Sequence, residues 1–229
     1  SGMKLAKDIF TSEGRVLLTS GVKLQENYIN KLKASGINEI FIEDDISIGV
    51  DVPDVICETT RMEAKMVVKH LLESKNYCNT INIGRVKEVI NKIIDQLLSN
   101  DNIVLNLADI RSVDDYTFEH CVSVCILSLV TGIGLGLNMS RLKELGIGAL
   151  LHDIGKLRIS KEILKKPSQS TVEEFEQIKK HIIYGYEILK DNKNVSMVST
   201  YIALGHHERL DGSGYPFQLK AGNIHQCAR

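Results

Sequence analysis

The sequence predicts a mainly α-helical protein: a helical bundle preceded by a small α+β domain at the N terminus. Three observations predict it. From Asp54 onward, apolar residues recur at the spacing that gathers them on one helix face, first at Met62, Met66, Val67, Leu71 and Leu72, then at Val86, Val89, Ile90, Ile93, Ile94, Leu97 and Leu98. Strand signals are almost confined to the first fifty residues. The 229 residues are 43% hydrophobic and 25% charged, which suffices for a sizeable core and excludes a disordered or collagen-like chain.

Residues 1–50 read as one compact unit: a hairpin of 5–10 and 16–19 around Ser12-Glu13-Gly14, a helix over 25–34, and a strand over 37–42, with Gly36 where a helix C-cap is expected. The acidic, β-branched stretch 43–53 has no helical period and contains Pro53, so a linker is placed there. Residues 51–100 are assigned to the linker and connecting helices, and 101–229 to the main helical domain. Within the latter, helices are expected over 116–133, 140–152, 171–190 and 195–207, with a short one near Ser160. Ser140 and Ser160 are expected N-caps. Thr171-Val172-Glu173-Glu174 is a capping box, in which the threonine hydroxyl meets one free N–H and the glutamate reaches back to another. No internal repeat is present, which favours a bundle over a solenoid.

The formal net charge of −1 leaves no global field to draw the protein onto polymeric nucleic acid or an anionic membrane, so any phosphate chemistry must be local. Five cysteines (Cys57, Cys78, Cys121, Cys125, Cys227) lack a CxxC pair, which argues against a disulfide framework or a thiolate zinc site and fits a reducing cytoplasm. Tryptophan is absent, and seven tyrosines with five phenylalanines make an extended base-stacking platform a poor expectation. Residues 1–20 lack the pattern of a signal peptide. The stretch 121–137 is too short and too polar to span a membrane, and is expected to be a buried helix.

The chemistry lies in the histidines, most of which stand at helix positions beside apolar neighbours. His152-Asp153 follows an apolar run and precedes Ile154-Gly155-Lys156, which puts an imidazole, a carboxylate and an ammonium within about one helical turn. Imidazole with carboxylate suits zinc, manganese or iron, although a hydrogen-bonded core histidine satisfies the same pattern. His206-His207-Glu208 is followed by Asp211-Gly212-Ser213-Gly214-Tyr215-Pro216. Consecutive helical side chains diverge by about 100°, so both imidazoles face one cavity only if they serve different ions or if the helix ends there. His120 and His181 each sit in an expected helix interior. Singly, each is more often a core residue; together, six nitrogen or oxygen ligands on four helices match what two metals require. His70 and His225 read as solvent-facing, Cys121 and Cys125 as small buried residues, and Lys165-Lys166 and Lys179-Lys180 as solvated faces, either of which could lean toward an anionic substrate.

Four stretches carry a resemblance: Tyr116-Thr117-Phe118-Glu119-His120, His152-Asp153-Ile154-Gly155-Lys156, Glu174 through His181, and His206 through Pro216. The sequence resembles the HD-GYP family, a branch of the HD metal-dependent phosphohydrolases associated with hydrolysis of the bacterial second messenger cyclic di-GMP. The resemblance implies an HD-type helical bundle over about 101–229, with two divalent metal ions (iron, manganese or zinc) held by His120, His152, Asp153, His181, His206 and His207. Asp153 would be the bridge, Lys156 would contact the phosphate, and Gly214 and Tyr215 would help bind substrate. Tyr116 stands where some members carry a glutamate that holds a third metal, so two is the expected maximum. The family continues past an Ala-Arg pair, here Ala228-Arg229, into a helix with a further aspartate ligand, which implies that the chain as given is impaired in metal retention and turnover.

The implied function is metal-dependent hydrolysis of cyclic di-GMP to linear pGpG or GMP, with Lys156 and Asp153 as the catalytic side chains. A non-catalytic cyclic-dinucleotide-binding or scaffold module and a general HD nucleotidase are the alternatives. A homo-oligomer or a signalling-domain partner would fit a protein of this kind.

Overall fold

The structure, a computed structural model, describes residues 2–11, 16–35, 37, 40–44, 55–73, 82–99, 116–164, 166 and 168–229, without the side chains of 116 and 117. The expected hairpin turn at 12–14, Gly36, and nearly all of the expected linker lie outside the described residues.

In the N-terminal part, β1 (Lys4–Leu5) pairs antiparallel with β4 (Ile42–Glu43), and β2 (Ile9–Phe10) pairs with β3 (Val16–Leu18). The hairpin is present. Of the expected strand over 37–42, positions 38 and 39 lie outside the described residues; the described ladder is Ile42–Glu43, paired with the two-residue β1. Helix α1 (Glu26–Ala34) buries Leu32, and Leu5 and Leu24 are also buried.

The helical part follows the apolar pattern closely. In α3 (Ile83–Leu98) the residues at helical spacing, Val86, Val89, Ile90, Ile93, Ile94 and Leu97, are all buried, whereas Leu98 is exposed because it lies about 100° around from Leu97. They join α2 (Glu58–Glu73), α4 (Tyr116–Gly134) and α5 (Met139–Leu151) in one core that includes Ala64, Val68, Cys121, Val122, Cys125, Leu129 and Leu150. Helix α5 is central: every residue from Leu145 to Leu151 is buried. It packs against α4 on one side and α9 (Met197–Gly205) on another. Among the described residues no helix is long and apolar enough to cross a membrane.

Three expectations are corrected. Asn138, rather than Ser140, caps α5: its side-chain oxygen accepts from the Arg141 backbone N–H at 3.0 Å, so the helix starts one residue earlier. The single helix expected over 171–190 is two, α7 (Val172–Lys179) and α8 (His181–Lys190), broken at Lys180. The last helix ends at Gly205, before the histidine pair. The Thr171 capping box is present, and Ser160 Oγ accepts from the Glu162 N–H at the start of α6 (Lys161–Leu164).

Candidate metal centre

Four chain segments converge at Asp153. Helix α5 ends at Leu151, so His152 and Asp153 occupy the turn before a short 3₁₀ helix, Ile154–Arg158. The break turns the carboxylate inward: Asp153 is 2% exposed and His152 4%. Gly155 lets this turn lie directly on α8, since a methyl group there would overlap the His181 carbonyl oxygen and the Gly185 nitrogen. His120 comes from α4, His181 from the first residue of α8, and His206 and His207 from just beyond α9. Because α9 stops at Gly205, adjacent imidazoles can share a cavity: the ligating atoms of His181, His206 and His207 lie within 4.8 Å of one another. His120, His152 and Asp153 form a second such group.

The two oxygens of Asp153 face different groups. Oδ2 lies 3.2 Å from His152 Nε2 and 4.0 Å from His120 Nε2. Oδ1 lies 3.4 Å from His181 Nε2 and 3.9 Å from His206 Nε2. Lys156 Nζ donates to Oδ2 at 2.7 Å.

The tautomers follow from the outer contacts. His152 Nδ1 lies 2.7 Å from the Ala149 carbonyl oxygen, His181 Nδ1 2.6 Å from that of Ile178, and His206 Nδ1 3.0 Å from that of Ala203. A carbonyl only accepts, so each Nδ1 carries the proton and each Nε2 presents a lone pair inward. His181 Nε2 and His206 Nε2 then face each other at 3.3 Å, with Asp153 Oδ1 beside them. Acceptors crowded together in this way repel unless a cation lies among them, and the nitrogen and oxygen donor set fits a transition-metal ion. The residues present therefore fit a metal centre.

Electrostatics agree. Burial lowers the His120 pKa; burial also lowers that of His181, against its bond to Ile178. Burial and neighbouring imidazoles hold His206 well below its ordinary value and push His207 down to about 4. These four imidazoles are neutral near pH 7, as ligation requires. Burial would raise the Asp153 carboxyl, but the neighbouring His152 imidazole and the charge and hydrogen bond of Lys156 outweigh it, so the group is held well below the usual carboxylate range.

The six expected metal ligands, His120, His152, Asp153, His181, His206 and His207, and the expected phosphate contact Lys156 are thus brought together, and Gly214 and Tyr215 adjoin them. Gly214 is buried against the end of α9, where a side chain would collide with the backbone of His207, Glu208 and Arg209. The Tyr215 N–H donates to the His207 carbonyl at 3.2 Å, and its ring stacks on the His207 imidazole, 4.7 Å between centroids and 14° between planes. The Tyr215–Pro216 peptide is cis.

One feature was not expected from the sequence. Glu208 is buried and accepts from the Phe217 N–H at 2.7 Å and the Leu219 N–H at 2.8 Å, which ties the far limb of the loop to the histidine pair. A carboxylate directly ahead of a turn rich in free N–H groups was the available signal. Glu119 turns away from the centre toward α2, 3.5 Å from Arg61 Nη1 and 3.7 Å from Lys65 Nζ. From there it does not face the centre; the side chain of Tyr116 lies outside the described residues.

Residues 119–229 match the HD domain family. Among curated proteins, the chain is 29% identical to the cyclic di-GMP phosphodiesterase PA4108 of Pseudomonas aeruginosa over 96% of its own length and 58% of that protein. It is 41% identical to a cyclic di-GMP phosphodiesterase of Thermotoga maritima over 53% of this chain and 33% of that one. It is also 34% identical to the 3'3'-cGAMP-specific phosphodiesterase 2 of Vibrio cholerae over 77% of this chain and 33% of that one. The chain thus spans from about a third to just over half the length of these relatives. A solved structure, Bd1817, an HDG"Y"P protein from Bdellovibrio bacteriovorus, shares the fold with a TM-score of 0.64 at 19% identity, over 99% of this chain and 79% of the other. The motif spacing and the convergent histidines agree with the match of residues 119–229 to the HD domain family.

Proposed function

We propose that the chain carries the metal-dependent phosphodiesterase centre of a cyclic di-GMP hydrolase. The observation that carries this reading is the division of labour at Asp153, whose Oδ2 faces His120 and His152 while Oδ1 faces His181 and His206. One carboxylate bridging two nitrogen-rich groups suits two divalent ions, the first with His120, His152 and Asp153, the second with Asp153, His181, His206 and His207. Ions bound there supply Lewis acidity and an activated water, the chemistry that phosphodiester cleavage needs. The side chains do the rest. Backbone carbonyls at Ala149, Ile178 and Ala203 fix three imidazoles in the ligating tautomer, so little reorganisation accompanies binding. Lys156, part-exposed at the rim, has its ammonium within reach of a phosphate oxygen and stabilises the charge that develops there. Gly214 and Tyr215 form the wall beside His207.

The curated relatives act on cyclic di-GMP or on 3'3'-cGAMP, which supports a cyclic dinucleotide over a simple nucleotide. The test is to load the chain with manganese or iron without air and follow pGpG and GMP release from cyclic di-GMP, with 3'3'-cGAMP and GMP monoesters as competitors. Lys156→Ala should keep its metal and lose phosphate affinity. Metal binding without cyclic dinucleotide binding or cleavage would overturn the assignment.

A further inference from the structure

Helix α7 buries none of its residues, yet it carries an aromatic ring: Phe175 is 45% exposed on a helix otherwise dominated by charged and polar groups. That ring contributes little to the core. It lies against the loop from the other side of the centre, 6.4 Å from the Tyr215 ring at 71°. Tyr215 in turn stacks on His207, so a line of rings leads outward from the proposed metal ligands to α7. Lys179, one turn along the same helix, holds its ammonium 4.9 Å from the Phe175 centroid and 5.4 Å from that of Tyr215, and Glu176 fixes it there at 2.6 Å. Two sequence-distant aromatics with one anchored cation beside a phosphate-cleaving centre are more than a solvated helix face.

We infer that Phe175, Tyr215 and Lys179 form a base-binding subsite that takes one guanine of the cyclic dinucleotide; this rests on the function proposed above. A substrate held by its phosphate at the histidines has its bases a few bonds away, and the line of rings begins at His207. Exposed aromatic rings are where splayed-out bases stack. The cation decides which base. Guanine presents two acceptors, O6 and N7, where adenine has an N6 donor beside N7, and an ammonium can only donate. The subsite therefore favours guanine over adenine, with Phe175 and Tyr215 supplying affinity and Lys179 the choice.

The test uses the metal-loaded chain, titrated calorimetrically with cyclic di-GMP, cyclic di-AMP and inorganic phosphate, which has no base. Phe175→Ala should weaken cyclic di-GMP binding roughly 5- to 150-fold, the size of a lost base–aromatic stack, while phosphate binding and metal content stay the same. Phe175→Leu, which keeps the apolar contact with the loop, should show most of that loss. A purely structural latch would be restored by leucine, and that result overturns the inference. Lys179→Met should narrow the preference for cyclic di-GMP over cyclic di-AMP roughly ten-fold. If both Phe175 variants and Lys179→Met bind cyclic di-GMP as the wild type does, the subsite is wrong and the phosphodiesterase reading stands. If the wild type binds phosphate but neither dinucleotide, the substrate reading fails and takes the subsite with it.

Discussion

Glu208 offers a direct test of how the loop is held against the metal centre. Its carboxylate is buried and accepts two backbone N–H groups, from Phe217 and Leu219, which sit on the far side of Tyr215 and Pro216. Hydrogen bonds to a charged group contribute about 1.5–3 kcal/mol each, so Glu208→Ala, which loses both and strands two donors, should cost about 3–5 kcal/mol. For a domain of this size each kcal/mol moves Tm by about 2–4 °C, giving a fall of about 6–20 °C. Glu208→Gln keeps one carbonyl acceptor but aims an NH2 group at the other N–H, so about half that loss is expected. The assay is urea and thermal unfolding of both variants, with cyclic di-GMP titration alongside. Because Tyr215 rides on the tethered loop, affinity should fall with stability while metal content is largely kept. Unfolding free energies within about 0.5 kcal/mol of wild type for both variants, the spread of ordinary surface substitutions, would refute the reasoning.

Asp153→Ala should abolish binding at both metal positions, whereas His120→Ala and His207→Ala should each leave about one ion per chain by elemental analysis; an unchanged metal content in Asp153→Ala would end the bridging assignment. Gly155→Ala should force the turn off α8 and shift His181 from its place 3.4 Å from Asp153, costing about 1–3 kcal/mol or more and at least one metal; wild-type melting and metal content would show that the contact is tolerant. The metal-free protein should lose stability as pH falls. His120, His181, His206 and His207 are all lowered, His207 to about 4, so below about 6.5 the unfolded chain binds protons that the folded chain refuses, and stability drops from there toward pH 4. Melting temperatures that do not change between pH 7 and 5 would contradict this.

The sequence by itself determined most of the helices and pointed to the histidines that gather at Asp153. Periodicity is a local property, so the face of α3 that reads as apolar is the face that is buried, and the motifs singled out the four histidine-bearing segments that meet at Asp153. What it left open was whether His206 and His207 could serve one cavity. Only the end of α9 at Gly205 decided that, and a helix end depends on what packs against it as much as on its own residues. Nor could spacing show that Asp153 divides its oxygens between two histidine groups, that Gly155 sets the distance between the turn and α8, or that Lys179 leaves the solvated face expected of it to lie over two rings. Each of these joins residues about 25 or more positions apart, or depends on the direction of a side chain across a packed interface. Such relations are fixed by close packing in three dimensions, which no pattern along the chain encodes.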